Sequence, residues 1–386
     1  MEDKAASDDS PCSKLGNTGL PLGEPHLKSL TAARFFAAIW VVLYHFWPKG
    51  GYGGSLVLQN FVRLGFIGVG FFFVLSGFVL AYIYVPRVER FDRRAFYWAR
   101  FARIYPVYFL SFVLAAVPVL IAVRTHHPAP SSLAVKLPAY VLMVQSWLPW
   151  YGHELNGAAW TLSVEVLFYA GFPFVLGRLA RVSRAGALWG LLVSALVALV
   201  TPGIAVGMGF TPSLDGFYGN LFRFFPLIHV PAFVFGALLA RVYEEDRAGG
   251  TYARWALPLG LVLLGLVVAF NRTWFYFFLH DGALLIPFGL IIYGLAAREG
   301  IGGHDRVPKW LILFGDASYG IYILQFPVFA WTFAVIARVM GGKRELVSGW
   351  EVLAYAFFLT GVCVLIYRYF ELPVRTRIRR LAGTRG

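Results

Sequence analysis

Charge and sulfur are both scarce in this chain. Only 14% of its 386 residues are Asp, Glu, Lys or Arg, and only two are cysteines. So little charge, beside 59% hydrophobic and 18% aromatic residues, excludes an ordinary soluble domain and fits a protein that crosses a membrane several times. Cys12 and Cys363 make no disulfide framework and no metal-ligand spacing, so neither a stapled secreted scaffold nor a metal site is expected. The first thirty residues lack an apolar core and a cleavage site of signal-peptide type. Residues 1–28 are therefore expected to form a disordered cytoplasmic tail, with the first span acting as its own insertion signal. A repeat of fixed period and a shift in composition are also missing, so no second folded domain is expected. Acidic residues are the rarer charged class, 20 against 34 basic ones, for a formal net charge of +14. That excess does not point to nucleic acid, because the basic residues sit in short segments between apolar runs, as topology signals do.

What the chain has in abundance is long apolar runs. The clearest are residues 64–85, 104–123, 188–206, 257–270, 283–297, 311–337 and 352–367, several of them near the ~20 residues needed to cross ~30 Å of hydrocarbon. The segment 86–103 carries Arg87, Arg90, Arg93, Arg94, Arg100 and Arg103 against Glu89 and Asp92, and is the strongest cytoplasmic marker. Arg178, Arg181 and Arg184, then Arg241 and Arg247, then Arg298, Arg306 and Lys309, and finally the basic tail 376–386 should lie on the same side. An all-α polytopic membrane protein of about ten spans, with both termini cytoplasmic, satisfies all of these markers. Residues 133–150 are apolar, but as a full span they would invert everything after them. They are read as a re-entrant or interfacial piece.

Ionisable side chains within spans are costly, by ~2.5 to 3.5 kcal/mol on insertion scales, and each is a candidate for function. The run "RFFAAIWVVLYHF" opens with Arg34 and closes near His45. Eleven helical steps return to within roughly 20° of the starting direction, so the two share a face about 16 Å apart, a length and polarity that suit a phosphate-bearing thioester. Arg34 alone reads either as a snorkelling residue or as a phosphate contact. His45 reads either as an interfacial anchor or as a base. Glu165, five residues beyond an expected aromatic-belt Trp160, should lie at a depth matched to His45, so that carboxylate and imidazole can pair. Arg100 and Arg103, one turn apart, could grip a phosphate or serve only as topology signals. Ser318, Tyr322 and Gln325 form a polar stripe at i, i+4 and i+7, suited to interhelical hydrogen bonds or to lining a cavity. The small residues Gly65, Gly68, Gly70, Ser76 and Gly77 are read as permitting close helix packing.

Taken in order, the Arg34/His45 pattern, "GVGFFFVLSGF", "RFARIYP", "WTLSVEVLFY", "PAFVFGALLAR", "FGDASYGIYILQFPV" and "YFELPVR" resemble the acyltransferase 3 family of integral membrane O-acyltransferases. The resemblance runs from Thr31 to Arg375, within an expected membrane domain at 29–375. It implies transfer of an acyl group, often acetyl, from acyl-CoA as donor substrate, with no permanently bound cofactor. The acceptor would be a hydroxyl of a carbohydrate, glycolipid or secondary metabolite. It further implies that Arg34 and His45 are required, that Glu165 is a partner, and that Arg100 and Arg103 belong to the donor side. Many relatives carry histidine where this chain has Gln325, so a hydrogen-bonding role is expected there. His45 would act as general base, or carry the acyl group covalently, in a bacterial cytoplasmic membrane; Ser318, Tyr322 and Gln325 would meet substrate. The alternative is a polar lipid or sugar transporter, which predicts internal symmetry that the sequence does not display.

Overall fold

The computed structural model describes residues 27–48, 55–126, 133–150, 155–209, 217–246, 253–270, 276–300, 307–341 and 346–383, and these are helical with no strand among them. Most of the expected amino-terminal tail and Cys12 lie outside the described residues. In chain order the helices are α1 (Lys28–Phe46), α2 (Leu56–Arg63), α3 (Gly68–Tyr84), α4 (Arg93–His126), α5 (Leu133–Val141), α6 (Trp160–Ala180), α7 (Arg184–Gly207), α8 (Phe217–Phe224), α9 (Val230–Glu245), α10 (Ala253–Phe270), α11 (Tyr276–Asp281), α12 (Leu285–Gly300), α13 (Lys309–Asp316), α14 (Ser318–Met340), α15 (Gly349–Ile366) and α16 (Leu372–Leu381). Among the described residues, 10 helical stretches are long and apolar enough to cross a membrane, which makes this a polytopic all-α membrane protein.

Local chemistry sets the helix boundaries. Ser183 caps α7 by accepting from the Gly186 N–H at 3.2 Å, and Ser348 with Glu351 forms a reciprocal capping box at the start of α15. Asp92 accepts from the N–H groups of Arg94 and Ala95 at 2.8 and 3.1 Å, so α4 begins at Arg93. Arg100 and Arg103 thus lie inside a helix, about two and three turns from its start, and not in a loop that ends at Arg103. The run 311–337 is also divided: Gly315 lies so close to the Thr31 carbonyl that any added methyl would collide with it, and the chain restarts as α14 just beyond. This contact seats the junction of α13 and α14 against the first turn of α1.

The segment 133–150 contains no helix long enough to cross a membrane. It is α5 followed by a turn with Met143 at φ 58° and a short 3-10 turn, Gln145–Trp147. Buried Gln145 and Ser146 bind it to the start of α6, donating to the carbonyls of Ala159 and Trp160 at 2.6 and 3.0 Å. The expected basic tail at 376–386 begins as part of a helix: α16 continues the last span through a π-turn, Tyr367–Glu371, and packs on α4. Elsewhere α3 and α9 pack most closely, because a methyl at Gly77 would strike the Phe233 carbonyl and one at Gly236 would strike the Val74 carbonyl. Two backbones in contact leave no room for solvent, and dispersion across the seam replaces the hydrophobic drive that lipid does not supply.

Candidate active site

Helix α1 supplies both ends of the site. Near its start, Arg34 lines a small cavity with Val69, Phe72, Thr161, Glu165, Ser318 and Tyr322. Near its end, the His45 ring lies 2.9 Å through Nδ1 from the Gln325 side-chain oxygen. The stripe Ser318, Tyr322 and Gln325 on α14 joins the two places: its first two members face the Arg34 cavity and its third meets His45. Seven residues of helix cover about 10 Å, so α14 runs beside α1 over most of the distance between Arg34 and His45.

The Arg34 end gathers charged and hydroxyl side chains. Glu165 accepts from the Tyr169 hydroxyl at 3.2 Å and interacts electrostatically with Arg103, Arg34 and Arg100. Arg103 in turn feels Glu371 and Asp316 as well as Glu165. Ser318 is fully buried, and its hydroxyl has no hydrogen-bond partner although it lines the cavity, a costly arrangement for a hydroxyl that meets no ligand. Arg100 donates to the Tyr84 hydroxyl at 3.3 Å and stands over the rings of Tyr84, Phe96 and Tyr169. Its Nε is buried without a partner. Arg34, Arg103 and Glu165 therefore form one electrostatic cluster, with Arg100 at its border.

The structure gives Glu165 and His45 different partners, contrary to the pairing expected from matched depth. The reason is Trp160. It is buried at 5% exposure, packed on Phe73, Phe224 and His229 at ring separations of 5.0 to 6.0 Å, and is no interfacial belt residue. Helix α6 starts inside the bundle, beneath the 133–150 turn, which carries Glu165 down to the level of Arg34.

At the His45 end the side chains are aromatic and amide. Phe326 packs on the imidazole with centroids 4.8 Å apart, and Phe46, Phe329 and Tyr355 complete the wall. Gln325 donates through Nε2 to the Tyr322 carbonyl at 2.7 Å, and its own backbone carbonyl accepts from the Tyr355 hydroxyl. Sequence reasoning passed over Ser111 and Asn156, both buried, which donate to the Ile323 carbonyl at 3.0 and 2.9 Å. The one signal for them was Pro327, four residues beyond Ile323, which predicts an orphaned carbonyl without naming its donors. Glu371, 4% exposed within the π-turn, was quoted in a motif and given no role.

A family model covers most of these residues: the acyltransferase-domain family Acyl_transf_3 matches residues 27–368. The chain belongs to this family. Arg34, His45, Glu165, Ser318 and Gln325 all fall within the matched region. Among relatives, it is 26% identical over 373 residues to the acyltransferase MdmB of Streptomyces mycarofaciens, covering 93% of each chain. It is 26% identical to the putative peptidoglycan O-acetyltransferase YrhL of Bacillus subtilis and 24% identical to the peptidoglycan O-acetyltransferase OatA of Listeria monocytogenes. In both cases 91% of this chain matches, but it spans only 55% and 56% of those longer proteins. No solved structure matches it. Family membership, with the candidate spans, supports a membrane acyltransferase.

Proposed function

We propose that this protein moves an acyl group, acetyl or another short acyl, from acyl-CoA to a hydroxyl of a carbohydrate, glycolipid or secondary metabolite, within a bacterial cytoplasmic membrane and with both termini cytoplasmic. The observation that carries this reading is the α14 stripe Ser318, Tyr322 and Gln325, whose first two members line the Arg34 cavity and whose third meets His45. On this reading the donor's phosphates lie at the guanidinium end of the stripe and its thioester at the imidazole.

Arg34 and Arg103 bind donor phosphate, with Arg100 at the entrance, since guanidinium groups pair with phosphate oxygens in two directions at once. Glu165, with Tyr169, keeps these arginines oriented and offsets their mutual repulsion. Ser318 and Tyr322 offer hydroxyls to the donor arm. His45 takes the proton of the acceptor hydroxyl as its oxygen attacks the thioester carbonyl, a task suited to an imidazole near neutral pH. Collapse of the tetrahedral intermediate breaks the carbon–sulfur bond, and the imidazolium returns its proton to the departing thiolate. The products are an ester and free coenzyme A, with no net change in the protein.

Mass spectrometry of glycans, lipids and small metabolites from cells with and without the protein tests this directly. Acyl transfer predicts a new species heavier by one acyl group, which identifies donor chain and acceptor together. A compound moved across the membrane with its mass unchanged would instead support transport.

A further inference from the structure

The imidazole of His45 is held by hydrogen bonds to the Gln325 side chain and to the Val41 backbone, and the surroundings of Gln325 dictate the direction of the first. Gln325 Nε2 lies 2.7 Å from the Tyr322 carbonyl, which can only accept. Turning the amide over would set oxygen against oxygen, so Oε1 is the atom 2.9 Å from His45 Nδ1. That oxygen is an acceptor and requires a proton on Nδ1. In the neutral ring the lone pair then resides on Nε2.

Gln325 is itself fixed from behind. The Tyr355 hydroxyl holds its backbone carbonyl, and Pro327 interrupts the helical hydrogen bonding just beyond it. Because Pro327 has no N–H, the Ile323 carbonyl loses its helical partner. Ser111 and Asn156 occupy that carbonyl from α4 and from the residues before α6, and Asn156 also donates to the Ser111 hydroxyl at 2.7 Å. A buried clamp from two other parts of the chain thus holds α14 at the carbonyl two residues before Gln325.

We propose that Gln325 is a positioning residue that keeps His45 in the Nδ1–H form with Nε2 free to accept a proton, and that Ser111 and Asn156 hold the backbone from which it acts. This rests on the reading of His45 as the base, but it makes a claim about the tautomer that activity alone does not settle.

The test is nitrogen NMR of the full-length protein in lipid nanodiscs, labelled with 15N-histidine and recorded at a pH where the ring is neutral. The signal lost in His45→Gln identifies His45. The wild type should show a protonated Nδ1 and a bare Nε2. Gln325→Leu should lose that preference and cut acylated product on the order of 10- to 100-fold, part of the ~10²- to 10⁴-fold that a positioned general base contributes. Its affinity for coenzyme A, measured by calorimetry, should be unchanged. Gln325→Glu, with its carboxyl protonated and donating to the Tyr322 carbonyl in place of Nε2, keeps an oxygen toward Nδ1 and should keep the Nδ1–H form. A wild-type ring protonated on Nε2, or a Gln325→Leu ring with an unchanged tautomer, overturns the proposal. The wild-type spectrum decides the matter even where the leucine variant does not accumulate. Full activity in His45→Ala would instead remove the base reading while leaving the tautomer result intact.

Discussion

Arg34 and Glu165 show how much a single side chain's meaning depends on its neighbours. Arg34 alone is a common snorkelling residue, yet it lines a cavity with Glu165 and the unpartnered hydroxyl of Ser318. Arg34→Ala should therefore weaken coenzyme A binding by about 1.5 to 3 kcal/mol, the range for a hydrogen bond to a charged group, as measured by calorimetry. Unchanged affinity would return Arg34 to a topology role. For Glu165→Gln the geometry predicts a different signature. The carboxylate meets Tyr169 and the arginines, not His45, so its loss should weaken donor binding or lower thermal stability by about 1 to 3 kcal/mol. The acid limb of the pH–activity profile should stay where it is in the wild type, because the imidazole keeps its amide partner. A shifted limb would show that carboxylate and imidazole communicate after all. The sequence displayed both residues as charges within spans, and insertion cost, helix spacing, depth and the family resemblance together singled them out. It did not disclose their partners, because that depended on whether Trp160 faces lipid or packs in the bundle.

The crossing helices were legible because hydrocarbon imposes length and composition together. Apolar runs near twenty residues, separated by arginine-rich segments, leave few other readings. The breaks were not legible. Gly315, Asp316 and Ala317 are all compatible with a continuing helix, and the division there reflects the tight seat of Gly315 on α1. The π-turn before α16 likewise has no sequence signature. Close packing was read correctly at Gly65, Gly68 and Gly77, each of which approaches a neighbouring backbone, whereas Gly70 meets only the Phe288 ring at 3.5 Å. Gly77→Leu drives a branched side chain into the carbonyl of Phe233 on α9, where neither backbone can yield cheaply. Overpacking of this kind costs about 1 to 3 kcal/mol or more. The variant should melt lower and accumulate less, whereas Gly361→Leu, at a position with open space around it, should be tolerated. Equal melting temperatures would mean that α3 and α9 separate more readily than the seam suggests.

Across the whole molecule, large apolar side chains such as Phe357 and Trp350 on α15 stand 81% exposed, as expected of a bundle whose surroundings are lipid tails. Polar groups gather inward along α1 and α14, and the aromatic wall at one end and the arginines at the other give that interior a direction. The architecture thus suits a long donor held at one end and consumed at the other. In the proposed function His45 removes the acceptor proton. The most direct measurement is acylated product, quantified by mass spectrometry, from cells making equal membrane amounts of wild type and His45→Ala. The account predicts that the mass increment present with wild type disappears with His45→Ala, while the variant still binds coenzyme A. Product at near-wild-type levels from His45→Ala would contradict it.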